Sequence, residues 1–140
     1  MDRDSLKIDV VNTFKDIPHA NKRISAFCSE HNVPAKLLNR FSLSLDEVLT
    51  NIIVHSIGDK GDRKIAVRID IGGGALRATV SDDGKPFDPL SQAMPDIHAP
   101  IEKRKVGGLG IHLLRKLMDT VEYRRTGERN ELSFGIRVVE

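Results

Sequence analysis

The sequence has no tryptophan, one cysteine and few aromatic residues, and each scarcity excludes something. Aromatic residues make up 4% of the chain, too few for the stacking platform with which proteins bind single-stranded nucleic acid. Cys28 is the single cysteine, so no internal disulfide can form. Its neighbours Ile24 and Phe27 predict a small buried hydrophobic residue rather than a reactive thiol. The chain is therefore expected to depend on its core alone.

The sequence also lacks a strong charge of one sign and a long apolar run. Lys and Arg number 22 against 20 for Asp and Glu, a net charge of +2, which is not the footprint of a nucleic-acid-binding protein. No apolar run approaches the roughly 20 residues that cross a bilayer, and residues 1–10 lack the apolar segment of a signal peptide. We expect a cytoplasmic protein with no membrane partner and no direct contact with nucleic acid.

What is present suits one globular domain spanning residues 1–140, with 39% hydrophobic and 30% charged residues. Hydrophobic periodicity and turn residues predict five strands and three helices in the order β-α-α-β-β-loop-α-β-β. The last strand is predicted from Leu132 to Val139, after a polar turn around Thr126 to Asn130. Crossovers are too few for a doubly wound parallel sheet. The pattern predicts an α+β, two-layer sandwich, with a mostly antiparallel mixed sheet of about five strands and three main helices on one face.

The second predicted helix, from Pro34 to about Ser56, carries the most informative pattern. One side is an apolar stripe typical of a helix packed on a core. On the other side Glu47, Asn51 and His55 follow at i, i+4 and i+8, so a carboxylate, an amide and an imidazole leave the helix in nearly one direction.

Two ordinary interpretations of this polar side exist. One is a solvated helix face, although Asn51 is unfavourable in the middle of a helix and has no local cap to make. The other is a capping box from Ser44 to Glu47, which would commit the glutamate to a backbone amide. The apolar period already begins before Ser44, at residues 37–41, which favours one continuous helix and no cap at that position.

Two further segments carry glycines. Asp82-Asp83-Gly84 follows a predicted strand, and Gly107-Gly108-Leu109-Gly110 opens a predicted helix, where backbone amides can approach an anion. Between them residues 90–106 show little periodicity and have the length of a lid. Each segment alone also fits an ordinary turn. A third glycine run, Gly72-Gly73-Gly74, lies between two strands and predicts a hairpin turn.

In this order the segments resemble the motifs of the GHKL (Bergerat-fold) ATPases and kinases, most closely the bacterial anti-sigma-factor serine-protein kinases. The N box is Glu47-x-x-x-Asn51-x-x-x-His55. The first glycine box is Asp82-x-Gly84, continuing as Lys85-Pro86-Phe87-Asp88-Pro89, and the second is Gly108-Leu109-Gly110. The resemblance covers nearly the whole chain.

The resemblance implies a role for each motif residue. Asn51 would bind Mg²⁺, Glu47 would act as general base, and Asp82 would accept the amino group of adenine. The remaining nucleotide-binding residues implied are Gly84 near the base, Gly108, Leu109 and Gly110 along the phosphates, Arg104 or Lys105 at the γ-phosphate, and Ser133, which stands where the family often has a threonine near adenine.

Two departures from the family pattern occur. Ser56-Ile57 replaces the Gly/Ala-Tyr pair that often follows the N-box histidine, and Pro86 stands where larger members have a second glycine. Neither change removes a group that the chemistry needs.

The function implied is that of an anti-sigma factor with serine-protein kinase activity. It would use ATP and Mg²⁺ to phosphorylate a serine of a STAS-domain anti-anti-sigma factor, and it would sequester a sigma factor or similar regulator, as a homodimer. One alternative is a nucleotide-gated regulatory binding module without significant kinase turnover. Another, the catalytic domain of a histidine kinase, is disfavoured because His19 and His31 lie within the first helical region.

Overall fold

The structure is a computed structural model that describes residues 4–57, 63–91 and 108–138. It contains a five-stranded sheet with helices on one face. All four strand pairings are antiparallel, in the order β1-β2-β3-β5-β4, which confirms the predicted fold class. The elements are β1 Asp4–Val11, α1 Ile17–Glu30, α2 Ala35–Asn51, β2 Lys64–Gly72, β3 Ala75–Asp82, α3 Gly108–Leu117, β4 Thr120–Thr126 and β5 Arg129–Arg137.

The core lies between one face of the sheet and the apolar stripes of the helices. On β2, Ile65, Val67 and Ile69 are buried while the residues between them are more exposed, because successive side chains of a strand point to opposite faces. The ring of Phe41 on α2 packs against that of Phe134 on β5, with centroids 5.2 Å apart. None of the helices in the described part of the chain combines the length and apolarity needed to cross a membrane.

Cys28 belongs to this core, as predicted. Its side chain is fully buried on α1, and burial raises the pKa of the thiol to about 11. Since the thiolate is the reactive form, Cys28 is a packing residue and not a nucleophile.

Helix α2 begins after Pro34, whose ψ of 141° is extended, and ends at Asn51. The chain then continues as a π-helical segment, Ile52–Ile57, a wider helical turn often found at functional sites. Ser44 lies well inside α2, where its Oγ donates to the carbonyl of Arg40 at 3.0 Å. The capping box is therefore excluded, and Glu47 is not committed to a backbone amide.

The β2–β3 hairpin sets the register of the sheet. Gly73 and Gly74 have φ of +61° and +77°, the left-handed conformation that a two-residue type I′ turn requires, as the glycine run predicted. Counting along β3 from this turn puts Asp82 at the end of the row that faces the helices, directly opposite Asn130 on β5.

Strand β5 begins at Arg129, three residues before the predicted start at Leu132. The polar run Arg129-Asn130-Glu131 resembles a turn in sequence, yet all three residues pair with strand neighbours. The difference matters because it moves Asn130 from a predicted turn onto the inner face of the sheet.

Candidate functional site

Glu47 and Asn51 are in direct contact at the end of α2. Asn51 Nδ2 donates to Glu47 Oε2 at 2.8 Å, and Asn51 is only 4% exposed, so this is not a solvated helix face. A carboxylate can only accept hydrogen bonds, which fixes the amide nitrogen toward Glu47 and the amide oxygen away from it. An amide oxygen is a ligand that Mg²⁺ accepts.

Glu47 is held in conditions that favour a proton acceptor. Partial burial raises the pKa of its carboxyl group, and the hydrogen bond from Asn51 opposes part of that rise. Desolvation disfavours the charged form, so the carboxylate binds a proton more readily than an exposed glutamate does. A base tuned in this direction is better suited to proton transfer near neutral pH.

The two side chains open onto different spaces. Asn51 lines a narrow cavity of about 20 Å³ between the end of α2, β3 and β5. Glu47 lines a separate groove of about 260 Å³ between α2 and α3, together with Leu43, Thr50 and Leu114. The Glu47–Asn51 hydrogen bond therefore joins the edges of two recesses.

The Asn51 cavity has apolar walls and a polar end. Val48, Ile52, Val80 and Leu132 contribute to the walls. Asp82, 1% exposed, contributes a carboxylate. An apolar recess with a few convergent polar groups is typical of a small-molecule site.

The Asp82 carboxylate uses its two oxygens differently. Oδ1 accepts three hydrogen bonds, from Ser56 Oγ at 2.5 Å, from Gly84 N at 2.9 Å and from Asn130 Nδ2 at 3.1 Å. No donor among residues 4–57, 63–91 and 108–138 reaches Oδ2. A carboxylate anchored through one oxygen can still accept a hydrogen bond from a ligand through the other.

Gly84 is required by a close approach of two backbones. A Cβ at this position would lie 2.6 Å from the carbonyl oxygen and 2.7 Å from the carbonyl carbon of Ser56. Lys85 N also donates to that oxygen, at 3.2 Å. The turn after β3 therefore packs tightly on the π-helical segment and joins the N box to the first glycine box.

The structure brings some of the predicted site residues together and places others elsewhere. Asp82 and Gly84 meet Ser56 in the π-helical segment that follows α2. Gly108, Leu109 and Gly110 form the first turn of α3. Arg104 and Lys105 lie outside the described residues. Ser133 is not brought to the cavity, because it faces the opposite side of the sheet, with its Oγ 3.5 Å from Thr79 Oγ1.

Sequence reasoning missed Asn130, Ser56 and Tyr123 as cavity residues. The sequence pattern predicts Asn130 in a turn, and Ser56 stands out only as a departure from the family pattern. The sequence does contain a signal for Asn130. It begins the alternation Asn130, Leu132, Phe134, Ile136 on β5, whose members share one face of the strand with a period of two. Tyr123 has a similar signal, since it follows Val121 on β4 with the same period of two and both are partly buried against the core.

Known proteins resemble this chain in sequence. The family model described as "Histidine kinase-like ATPase domain" matches residues 10–136. The anti-sigma F factor of Clostridium novyi (strain NT) is 22% identical over 139 residues, covering 99% of this chain and 94% of that protein. The serine-protein kinase RsbW of Listeria monocytogenes serovar 1/2a is 27% identical over 103 residues, 71% of this chain and 66% of the kinase.

Solved structures share the fold at low identity. The RsbU and RsbW domains of a Mycobacterium tuberculosis protein superpose with a TM-score of 0.69 at 13% identity, covering 96% of this chain and 32% of that one. The histidine kinase domain from an Erythrobacter litoralis blue-light activated histidine kinase superposes with a TM-score of 0.56 at 23% identity, covering 75% and 46%. The chain thus spans under half of each of these two neighbours.

Proposed function

Because the chain belongs to the histidine kinase-like (GHKL-type) ATPase domain family, we propose that it is an anti-sigma factor with serine-protein kinase activity. It transfers the γ-phosphoryl group of ATP to a serine of a STAS-domain anti-anti-sigma factor, and it sequesters a sigma factor or similar regulator. Relatives named anti-sigma F factor and serine-protein kinase support this function. The observation that carries this proposal is the hydrogen bond between Glu47 and Asn51. It places a carboxylate at the groove between α2 and α3 and an amide at the neighbouring cavity.

The hydrogen-bonding groups at Asp82 suit the base of ATP. Adenine carries an amino group where guanine carries a carbonyl oxygen. Oδ2 of Asp82 accepts a hydrogen bond from that amino group, whereas the guanine oxygen would meet a second acceptor in a buried place, which is costly. This difference makes ATP the nucleotide of the proposal and GTP a poor substitute.

Asn51 suits a magnesium ion that is shared with the phosphates. Within the described residues no group of three or more acidic, histidine or cysteine side chains could hold a metal. Mg²⁺ often relies on one or two protein ligands plus phosphate oxygens and water, so the amide oxygen of Asn51 is enough. When bound, the ion neutralises phosphate charge. The backbone at Gly108–Gly110 and a lid cation, Arg104 or Lys105, bind the same phosphates.

Glu47 then performs the proton transfer. The serine hydroxyl of the partner enters from the groove between α2 and α3 that Glu47 lines. As the serine oxygen bonds to the γ-phosphorus, Glu47 takes its proton, the bond from that phosphorus to the β–γ bridging oxygen breaks, and ADP leaves with the bonding electrons. Positioning and charge neutralisation supply the rest of the catalysis.

The test is phosphotransfer from labelled MgATP to candidate STAS-domain proteins. Wild type is expected to label the partner, and the label should be lost when the acceptor serine is replaced by alanine. Glu47→Gln should still bind nucleotide but should label the partner at least 100-fold more slowly, because general-base catalysis is worth about 10²–10⁴ in rate. Glu122→Gln is a matched control, since Glu122 is exposed on β4 away from the site.

Two results would change the proposal. Wild type that binds ATP and the partner but transfers no phosphate would be a nucleotide-gated binding module. Glu47→Gln that transfers at the wild-type rate would remove Glu47 from the mechanism.

A further inference from the structure

Asn130 is a buried amide behind Asp82 that the proposed mechanism does not use. It is 4% exposed. Its Nδ2 lies within hydrogen-bond distance of three acceptors: Ser56 Oγ at 2.9 Å, Asp82 Oδ1 at 3.1 Å and the carbonyl oxygen of Lys85 at 2.8 Å. These belong to the π-helical segment, to β3 and to the turn after β3. One side chain therefore joins all three elements on the polar side of the cavity.

The other end of the amide is also occupied. Asn130 Oδ1 accepts from Phe87 N at 3.2 Å and from the Tyr123 hydroxyl at 2.5 Å. Turning the amide over would put its oxygen against the oxygens of Asp82 and Lys85 and its nitrogen against the Phe87 donor. The orientation is therefore fixed by its partners.

We infer that Asn130 is a positioning residue that gives the cavity its preference for adenine. This inference rests on the proposed function, in which a nucleotide base occupies the cavity. With Ser56 and Gly84, Asn130 holds Oδ1 of Asp82, so that Oδ2 is presented as the acceptor. Without the amide, the carboxylate loses one of its anchors and can rotate, and the acceptor is no longer held in a fixed direction.

The first test replaces Asn130 by alanine and measures ATP and GTP binding by calorimetry. The dissociation constant for ATP should rise about 10- to 100-fold, the effect of losing a hydrogen bond to a buried charged group, while GTP binding should change little. Arg129→Ala is the matched control. Arg129 precedes Asn130 on β5, but its Nε donates to Ser81 Oγ at 2.9 Å, so this variant should keep the wild-type preference.

The second test uses Asn130→Asp, which keeps the shape of the side chain but replaces its N–H groups by an oxygen. At pH 8 two carboxylates face each other and ATP binding should be weak. At pH 5.5 a proton shared by the facing carboxylates restores a donor between them, so the affinity should recover at least fivefold relative to wild type. Asn130→Ala should show no such recovery.

Other charged and titratable groups lie near the pair, so each variant is compared with wild type at the same pH. Arg125 Nη1 donates to the carbonyl oxygen of Gly84 at 2.8 Å, the Tyr123 hydroxyl contacts Asn130, and His55 stacks on Phe87 with centroids 4.9 Å apart. All of these groups are present in wild type and variants alike. Only the Asn130→Asp protein carries the additional carboxylate.

The outcomes separate this inference from the proposed function. If wild type prefers ATP and Asn130→Ala keeps the same ATP-to-GTP ratio, the inference is overturned while the proposed function stands. A merely structural role would weaken both nucleotides equally, and would also overturn it. If wild type binds neither nucleotide, the proposed function itself fails. Should Asn130→Ala not fold, recovery of Asn130→Asp at pH 5.5 decides the question, and its absence counts against the inference.

Discussion

At the scale of single residues, Glu47 shows a conflict between stability and function. Its carboxyl group is partly buried beside Asn51, and burial raises its pKa. A group whose pKa is higher in the folded than in the unfolded protein stabilises the fold fully below its unfolded pKa, about 4.3 for Glu. That contribution is lost as the pH rises through the folded value. At neutral pH the folded protein therefore carries a carboxylate that burial disfavours.

We predict that Glu47→Gln melts at a higher temperature than wild type at pH 7.5. Glutamine has nearly the same shape and still accepts the Asn51 hydrogen bond, but it carries no charge to desolvate. The advantage should shrink as the pH falls toward 4, where Glu47 is protonated. Thermal melts at pH 4, 5.5 and 7.5 measure this, with Glu122→Gln as an exposed control that should follow wild type. A variant less stable than wild type at pH 7.5 would contradict the prediction.

At the scale of elements, the site depends on how the turn after β3 packs on the π-helical segment. The contact is backbone against backbone, at Gly84 and Ser56. Gly73 in the β2–β3 turn differs, since a Cβ there would meet nothing within 4 Å and the constraint is its φ of +61°. The two glycines are thus required for separate reasons, one for space and one for conformation.

These reasons give different consequences for alanine. Gly73→Ala should cost about 1–2 kcal/mol of stability from left-handed strain and leave ATP affinity unchanged. Gly84→Ala forces the turn away from Ser56, so it should cost about 1–3 kcal/mol from overpacking and also weaken ATP binding at least tenfold. Urea unfolding and ATP titration of both variants test this. Wild-type ATP affinity in Gly84→Ala would show that the close contact is not needed for the site.

At the scale of the whole molecule, nucleotide binding should appear as added stability. A ligand at 100 times its dissociation constant adds about 2.7 kcal/mol, which for a chain of this size raises the melting temperature by several degrees. We expect MgATP to produce this shift and MgGTP to produce less. The Asn51→Ala variant should shift less with MgATP than wild type and should lose sensitivity to chelation of Mg²⁺. Equal shifts with and without Mg²⁺ in wild type would remove the role of Asn51.

Features determined by residues close together in the sequence were predicted more accurately than features that depend on distant residues. The α2 stripe and the Gly72–Gly74 turn were predicted correctly because their patterns lie within a few residues of one another. The start of β5 was predicted three residues late, because local polarity at residues 129–131 outweighed a pairing that depends on β3 and β4. Propensity is a weak guide where partner strands decide.

The sequence by itself determined the N-box spacing, the two glycine boxes, the family and the layer architecture, because helix period, turn chemistry and motif order are local properties of the chain. Tertiary structure alone decided the polar end of the cavity. Asn130 meets Asp82 from 48 positions away and Ser56 from 74 positions away. The side of the sheet that Asn130 and Ser133 face follows from strand register, where a shift of one residue reverses every side chain. The register of β5 is set by its pairing with β3 and β4. Only the structure could therefore assign Asn130 to the cavity and Ser133 to the opposite face.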